Sequence, residues 1–219
     1  MNTGIALIDY KAGNLTSVKK ALATIGADVF VPATPGELAD AQGIIVPGVG
    51  HFGATRALDA AWTAAILGRV GEGRPLFGIC LGMQWLFEGS DEAPDAPGLG
   101  LLAGRCYKLG QVRLKADATM TSGVRLQPDP SIKIPHVGWN SLTLTREASI
   151  VEGVPQGSQV YFTHSYVAPV TDDTVAVAEH GEPFAAIVQH GQIAGVQFHP
   201  EKSGDVGLRI LRNFLDLVR

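Results

Sequence analysis

The chain has 219 residues, of which 46% are hydrophobic and 17% charged, a balance that predicts one globular domain over residues 1–219 and excludes a disordered chain. The 17 Lys and Arg residues against 21 Asp and Glu residues give a formal charge of −4, so there is no basic surplus with which to bind nucleic acid. Two cysteines, Cys80 and Cys106, exclude a disulfide framework and a four-cysteine zinc site. The sequence contains neither a signal-peptide pattern nor an apolar run long enough for a membrane span, so we expect a cytoplasmic protein with no membrane partner.

The first half of the chain alternates short apolar runs with segments of helical periodicity. From Leu15 to Ile25 the apolar residues share one helical face, and Asn14 is placed to cap that helix. Further helices are predicted over Thr55–Val70 and from Cys80 to about Phe87. The predicted strands of this half are Gly4–Asp9, Ala27–Val31, Gly43–Pro47 and Pro75–Ile79. Strands that alternate with helices form a parallel sheet with helices on both faces.

Short β runs broken by Gly, Pro and Asp dominate the second half, from Arg105 to Gln197. The predicted strands are Ser141–Thr145, Gln159–Thr163, Thr174–Ala178, Phe184–Gln189 and Gln192–Phe198. His190-Gly191 joins the last two in a predicted hairpin, a final helix begins at about Asp205, and Lys115–Pro135 is expected to be a surface excursion. The predicted fold is α/β, with a mixed, largely parallel central sheet flanked by helices and additional antiparallel strands in the C-terminal half.

Cys80 has the setting of a nucleophile. It stands between a predicted strand and a predicted helix, with Gly78 and Gly82 two positions away on either side, the pattern of a nucleophile elbow with Cys in place of Ser. The sharp turn leaves no room for neighbouring side chains, and a helix that begins next to the thiol favours the reactive thiolate. The alternative is a small buried hydrophobic residue, which is the commoner role of a cysteine.

A cysteine nucleophile needs a base, and the base needs an orienting acid. His199 and Glu201 stand two residues apart at the predicted end of a strand, so their side chains are expected to leave on the same side. Each alone is more often a structural or solvated residue. Together with Cys80 they predict a catalytic triad.

Acyl transfer also needs donors for the oxyanion of the tetrahedral intermediate. Gly48, Val49 and Gly50 follow the third predicted strand, beside the expected position of Cys80, and their backbone amides, with that of Leu81, are candidate donors. The alternative is an ordinary strand-to-helix turn, and both interpretations are compatible. The sequence predicts no cofactor and no metal site, because the remaining His and Cys residues lack ligand spacing.

Six segments, in this order, resemble the class I, or triad, glutamine amidotransferases over nearly the whole chain. They are Ile8-Asp9-Tyr10-Lys11-Ala12-Gly13-Asn14-Leu15, Pro47-Gly48-Val49-Gly50-His51-Phe52, Gly78-Ile79-Cys80-Leu81-Gly82-Met83-Gln84, Pro135-His136-Val137-Gly138-Trp139-Asn140, Tyr161-Phe162-Thr163-His164-Ser165-Tyr166 and Gln197-Phe198-His199-Pro200-Glu201-Lys202-Ser203. The Cys80 and His199 segments are shared by the whole superfamily. The first, second and fourth are similar to the glutaminase subunits of imidazole glycerol phosphate synthases, of histidine biosynthesis.

The resemblance implies a flavodoxin-like fold and a glutaminase. It implies that Cys80 attacks the side-chain amide of glutamine, that His199 transfers protons and that Glu201 orients His199. The residues that it implies for glutamine binding are Gly82, Gln84, Glu92, Ser165 and Tyr166. It also implies that the segment around Val49 must reorient to direct an amide at the oxyanion, so that the glutaminase is weak until its partner activates it.

The partner implied by the resemblance is a (β/α)₈ cyclase subunit, which would combine the ammonia with the phosphoribulosyl-formimino intermediate PRFAR to form imidazole glycerol phosphate and AICAR. Trp139 and Asn140 are candidates for the surface that docks the cyclase in a heterodimer, with core packing as the alternative for Trp139. Cys106 matches no functional position and is expected to be structural. Other interpretations are the glutaminase of an anthranilate or aminodeoxychorismate synthase, a catalytically silent binding relative, and a cysteine peptidase or hydrolase.

Overall fold

The computed structural model describes residues 4–110 and 133–218, so most of the predicted excursion Lys115–Pro135 lies outside the described residues. The helices are α1 Leu15–Thr24, α2 Ala60–Gly71, α3 Leu81–Trp85 and α4 Gly204–Val218. The strands are β1 Ile5–Leu7, β2 Val29–Phe30, β3 Gly43–Val46, β4 Leu76–Ile79, β5 Gly89–Ser90, β6 Arg105–Lys108, β7 His136–Ser141, β8 Thr143–Leu144, β9 Gln159–His164, β10 Tyr166–Val167, β11 Thr174–Glu179, β12 Pro183–His190 and β13 Ile193–Val196. Short 3₁₀ helices are formed by Pro35–Asp40, Phe52–Ala57, Ser149–Val151 and Pro200–Lys202.

Eight strands form the central sheet, in the order β2-β1-β3-β4-β13-β12-β11-β8. Pairing is parallel from β2 to β13 and antiparallel from β13 to β8. The predicted mixed, largely parallel sheet is confirmed, and so is the hairpin of β12 and β13. Two smaller sheets lie beside it, β10-β6-β5 and the antiparallel pair β7-β9.

Alternation along the strands distributes the core over the two faces of the central sheet. Ile45 of β3 packs in the cluster that contains Leu22 of α1 and Phe214 of α4. Its neighbour Ile44 packs in the cluster that contains Ile66 of α2. Successive strand residues point to opposite faces, so each face needs its own helices, and the sheet is buried from both sides.

The predicted helix over Thr55–Val70 begins too early. The chain forms the 3₁₀ turn Phe52–Ala57, and α2 begins only after Asp59, whose side chain accepts hydrogen bonds from the amides of Ala61 and Trp62. The extended backbone of Asp59, with φ −62° and ψ −176°, interrupts the helical path. Because Thr55–Val70 is rich in alanine and leucine, its composition favours one continuous helix, and the capping role of Asp59 is not apparent from it.

The predicted strand Ser141–Thr145 is two strands with different partners. β7 pairs with β9 and ends at Ser141, whereas β8 pairs with β11. Between them Leu142 is fully buried, and its amide donates a hydrogen bond to the Ser158 carbonyl. β7 itself was not predicted, because Gly and Asn in its sequence are typical of loops.

The carboxyl ends of β1, β3, β4 and β13 meet at one edge of the central sheet. In open α/β sheets the ligand-binding crevice forms outside the carboxyl ends of the strands. The segments that contain the predicted catalytic and oxyanion residues lie at this edge. Val49 follows β3, Cys80 follows β4 and His199 follows β13.

Candidate active site

Cys80 occupies a strained turn between β4 and α3. Its φ of 52° and ψ of −106° put a non-glycine residue in the positive-φ region. A Cβ on Gly78 would lie 2.6 Å from the Gly82 carbonyl oxygen, and one on Gly82 would overlap the Val46 carbonyl oxygen. The two glycines therefore have the steric role that the elbow pattern predicts.

β13 ends at Val196, the chain bends at Gln197 and Phe198, and the backbone is extended again at His199. Phe198 packs in the core, whereas Gln197 and His199 lie next to Cys80. The Cys80 amide is held by the Val196 carbonyl at 2.7 Å, which fixes the elbow against this strand.

His199 and Glu201 are in contact, but not for the predicted reason. β13 ends at Val196, and Glu201 lies in the 3₁₀ turn Pro200–Lys202, so strand alternation does not bring the two side chains together. The turn instead folds Glu201 back, and its Oε1 lies 2.9 Å from His199 Nδ1, with both side chains only 2% exposed.

The charge of His199 depends on its two neighbours. Burial alone would lower the pKa of His199, but hydrogen bonding and charge from Cys80 and Glu201 outweigh burial and raise its pKa to about 10. The imidazole is therefore protonated at neutral pH, with Nδ1–H donating to the Glu201 carboxylate. A cationic imidazole beside a cysteine favours the thiolate.

A cleft of about 330 Å³ opens in front of Cys80. It brings together most of the residues predicted for the oxyanion and for glutamine: Val49, Gly50, Leu81, Gln84, Glu92, Ser165 and Tyr166. Gly48 and Gly82 are not among its lining residues. Gly82 instead packs closely against the backbone of Val46, so its contribution in this conformation is to the elbow.

Two of the four amides predicted for the oxyanion, those of Val49 and Leu81, donate to backbone carbonyls in this conformation. The Val49 amide donates to the Ala12 carbonyl at 2.7 Å, and the Leu81 amide donates to the Gly48 carbonyl at 3.4 Å. Neither is directed at the position that an oxyanion on Cys80 would occupy. The sequence pattern predicts that the segment Gly48–Gly50 lies beside the turn at Cys80. It does not specify the directions in which the peptide N–H groups of this segment point.

Two residues predicted for glutamine binding already have partners within the chain. Gln84 is 4% exposed, and its Nε2 donates to the Tyr166 carbonyl at 2.8 Å. Glu92 accepts a hydrogen bond from the Phe52 amide at 2.6 Å. Both are thus held in place at the edge of the cleft.

Sequence reasoning overlooked two residues next to the cleft. Gln197 is fully buried, and its Nε2 lies 3.5 Å from Cys80 Sγ. His164 lines the cleft, and burial lowers its pKa to about 3, which keeps the ring neutral. The contact of Gln197 with Cys80 arises where β13 has ended and the chain bends, so no periodicity in the sequence indicates it.

Trp139 is not packed in the core. It is 58% exposed, and its ring meets the ring of Tyr161 edge-on at 6.1 Å between centroids. Lys202 Nζ lies 5.6 Å from the centroid of the Tyr161 ring. Asn140 is partly buried, and its Nδ2 donates to the Glu179 carbonyl at 2.8 Å, so it also ties β7 to β11. We call Trp139, Asn140, Tyr161 and Lys202 the β7–β9 surface.

Comparison with known families adds an independent observation. The family profile described as "Glutamine amidotransferase class-I" matches residues 6–218. The chain belongs to the class I glutamine amidotransferases.

Curated relatives place this amidotransferase more finely. It is 45% identical to the imidazole glycerol phosphate synthase subunit HisH of Halobacterium salinarum, over 97% of this chain and 92% of that protein. It is 44% identical to the HisH subunit of Xanthomonas euvesicatoria, over 98% of both chains. It is 38% identical to that of Methanothermobacter thermautotrophicus, over 98% of this chain and 99% of that protein. The amidotransferase is therefore a member of the HisH family.

Solved structures share its fold. A crystal structure of a glutamine amidotransferase has a TM-score of 0.71 at 21% identity and covers 98% of this chain and 99% of that chain. The structure of PurLQS from Thermotoga maritima has a TM-score of 0.71 at 18% identity and covers 100% of both chains. Within residues 4–110 and 133–218 of the amidotransferase, no helix is long and apolar enough to cross a membrane. The same ranges contain no group of three or more His, Cys, Asp or Glu side chains arranged to hold a metal ion.

Proposed function

We propose that this amidotransferase hydrolyses glutamine to glutamate and ammonia as the glutaminase subunit of an imidazole glycerol phosphate synthase. The observation that carries the proposal is the placement of Cys80, at a strained elbow, beside the His199–Glu201 pair. The HisH family supports this synthase over an anthranilate or aminodeoxychorismate synthase.

In the first step, the Cys80 thiolate attacks the side-chain carbonyl carbon of glutamine. The carbon–sulfur bond forms, and the tetrahedral intermediate collapses with loss of the nitrogen as ammonia, which leaves a γ-glutamyl thioester. His199 gives its proton to the departing nitrogen. The raised pKa of His199, to about 10, supports this role because the proton is already on the ring before attack.

In the second step, His199 accepts a proton from water as the water attacks the thioester. The carbon–sulfur bond breaks, glutamate leaves, and the thiolate and imidazolium are restored. Glu201 holds the ring through Nδ1 at 2.9 Å, so the other ring nitrogen faces the reaction.

Oxyanion stabilisation by this chain requires a peptide rotation in the segment Gly48–Gly50. The Val49 amide must leave the Ala12 carbonyl, and the Leu81 amide must leave the Gly48 carbonyl. Gly50 has a φ of 94°, and glycine crosses this region without a Cβ penalty, which supports the segment as the moving part. A glutaminase at rest in this conformation would be slow until a partner favours the rotated state.

Glutamine would lie along the cleft with its amide at Cys80 and its α-amino and carboxylate groups toward Gln84, Glu92, Ser165 and Tyr166. The carboxylate of Glu92 and the carbonyl of Tyr166 are acceptors suited to an ammonium group. Gly82 acts by keeping the elbow in place.

The ammonia would pass to a (β/α)₈ cyclase subunit that converts PRFAR to imidazole glycerol phosphate and AICAR. The β7–β9 surface is the proposed docking site, because an exposed Trp beside a Tyr ring is typical of an interface anchor. In this proposal a single amidotransferase domain, residues 1–219, works in the cytoplasm. The family match over residues 6–218 supports the single domain.

Replacing Cys80 tests the proposal. In a complex with the cyclase, Cys80→Ala should lower glutamine-dependent synthesis by at least about a thousandfold and leave ammonia-dependent synthesis within about twofold of the unmodified complex. Cys106→Ala is the matched control, because it removes the other cysteine, which is buried on β6. Loss of both activities in Cys80→Ala would contradict the assignment of Cys80 to the glutaminase reaction alone.

A further inference from the structure

Gln197 contacts both the nucleophile and Gln84, a residue that lines the cleft. Its side chain is fully buried, its Nε2 is 3.5 Å from Cys80 Sγ, and its Oε1 accepts a hydrogen bond from Gln84 Nε2 at 3.1 Å. Leaving a buried primary amide without hydrogen-bond partners costs free energy. The oxygen of the Gln197 amide therefore needs a donor opposite it, and the nitrogen needs an acceptor.

The direction of this amide is fixed by a backbone carbonyl. The Tyr166 carbonyl oxygen can only accept, so the atom of Gln84 that faces it at 2.8 Å must be the amide nitrogen. That same nitrogen faces Gln197, so the atom of Gln197 that receives it must be the oxygen. The nitrogen of Gln197 is then the atom that faces sulfur. A reversed Gln197 amide would set two N–H groups against each other.

We infer that Gln197 is a thiolate-stabilising residue, which donates an N–H to the sulfur of Cys80 in an orientation set by the Tyr166 carbonyl through Gln84. A hydrogen bond to an ionised group is about twice as strong as one between neutral groups, so this donor favours the thiolate over the thiol. His199 approaches the sulfur with a positive charge, and Gln197, two residues earlier in the chain, adds a neutral, fixed donor. The inference rests on the proposed role of Cys80 as nucleophile.

Burial alone does not produce this arrangement. Gln189, on β12, is another buried glutamine, and its side chain contacts the Ile150 amide, the Ser149 hydroxyl and the Gly191 carbonyl. None of its hydrogen bonds reaches Cys80 or the cleft. Gln189 is thus a matched control for a glutamine whose role is to hold the fold together.

The test is the rate of alkylation of Cys80 by iodoacetamide as a function of pH, followed by mass spectrometry of the peptide that contains Cys80. The peptide readout excludes the second cysteine, Cys106. In Gln197→Met, which keeps the length of the side chain and removes the donor, the pH of half-maximal rate should move upward by about one unit. Gln189→Met should leave this midpoint where it is in the unmodified chain. In Gln197→Met, kcat for glutamine hydrolysis should fall by a larger factor than KM changes, because the sulfur reacts only after glutamine has bound.

A second variant separates loss of the donor from loss of packing. Gln197→Glu preserves shape and still accepts from Gln84, but its carboxylate presents oxygen to the sulfur, so the midpoint should move upward at least as far as in Gln197→Met. An unchanged midpoint in a folded Gln197→Met protein would overturn the inference. If Gln197→Met does not fold, an unchanged midpoint in Gln197→Glu would do so. Alkylation needs neither glutamine nor a partner, so a failure here is distinct from a failure of the proposed reaction, which would appear as normal alkylation without glutamate release.

Discussion

The buried pair of His199 and Glu201 sets the protonation of the site. Removing a proton from His199 would leave the Glu201 carboxylate, 2% exposed, without its cationic partner. Burial alone would lower the pKa of His199, but hydrogen bonding and charge from Cys80 and from Glu201 together raise it from 6.5 to about 10. Because the folded chain binds this proton more tightly than the unfolded chain, His199 stabilises the fold fully below about pH 6.5 and loses that contribution as pH rises through about 10.

Glu201→Gln should weaken this dependence. The amide lacks the negative charge, so the pKa of His199 falls, and the free energy of unfolding should decline less between about pH 7 and about pH 10 than it does in the unmodified chain. Glutamine turnover should fall roughly 10³- to 10⁴-fold, because the ring loses its orientation and charge partner. Urea unfolding at both pH values and a glutamate assay measure the two effects.

Glu72→Gln is the control for Glu201→Gln. Glu72 forms an exposed ion pair with Arg69 on α2, and such pairs contribute roughly 0–1 kcal/mol. An equal decline in Glu201→Gln and the unmodified chain over this pH range would contradict the role given to Glu201.

At the scale of single residues, the sequence predicts functional side chains whose neighbours form a recognisable motif. It does not predict a role that depends on a contact between residues far apart in the chain. Cys80, His199 and Glu201 are predicted as a triad because a nucleophile, a base and an acid have recognisable neighbours in the sequence. Gln197 was missed, since its meaning comes from the direction of an amide that only the Tyr166 carbonyl fixes. The directions of the Val49 and Leu81 amides are hidden for the same reason.

At the scale of elements, the turn between β4 and α3 is where sequence and structure agree most closely. A side chain at either glycine beside Cys80 would clash with nearby backbone atoms, so the spacing of the glycines follows from the geometry of the turn. Agreement is weaker where a capping residue or a change of strand partner decides the boundary. Asp59 ends one helical turn and starts α2, and Leu142 separates β7 from β8.

Gly82→Ala should destabilise the elbow. The added Cβ would overlap the Val46 carbonyl oxygen, which belongs to β3 and cannot move without disturbing the sheet, so the free energy of unfolding should fall by about 1–3 kcal/mol or more. Thermal or urea unfolding measures the change.

Gly68→Ala is the matched control for Gly82→Ala. Gly68 lies in α2, and a Cβ there would meet nothing within 4 Å. The free energy of unfolding should rise by about 0.5–1 kcal/mol, because alanine favours the helix. A fall in Gly82→Ala no larger than the measurement error would contradict the packing described for the elbow.

At the scale of the whole molecule, the fold collects distant segments at one edge of the sheet and leaves the β7–β9 surface exposed. The strand order follows from the alternation of strands and helices only in its parallel part. The pairing of β7 with β9, and of β8 with β11, joins segments whose own patterns resemble loops or one longer strand, so sequence periodicity could not assign those partners. The exposure of Trp139 follows from that pairing and was left open by the sequence.

Trp139→Ala should weaken binding of the cyclase by about tenfold or more, because a large exposed aromatic ring at an interface is typical of a binding hot spot. The free energy of unfolding should change by less than about 1 kcal/mol, since the ring is 58% exposed. Calorimetric titration of the cyclase measures the first effect. Val170→Ala, at another exposed apolar residue outside the β7–β9 surface, should bind as the unmodified chain does. Equal affinity in Trp139→Ala would place the docking site elsewhere.

The most direct test of the central claim is the rate of glutamate release from glutamine, measured alone, with the cyclase subunit, and with the cyclase and its nucleotide ligand. With the Val49 and Leu81 amides directed at backbone carbonyls, the chain alone should be slow. Cyclase and ligand together should raise the rate by at least about tenfold, the scale of an allosteric coupling of 1–3 kcal/mol. A slow rate that the cyclase never alters would point to a different synthase partner. No release under any condition, with Cys80 shown to be unoxidised, would contradict the claim that this amidotransferase is a glutaminase.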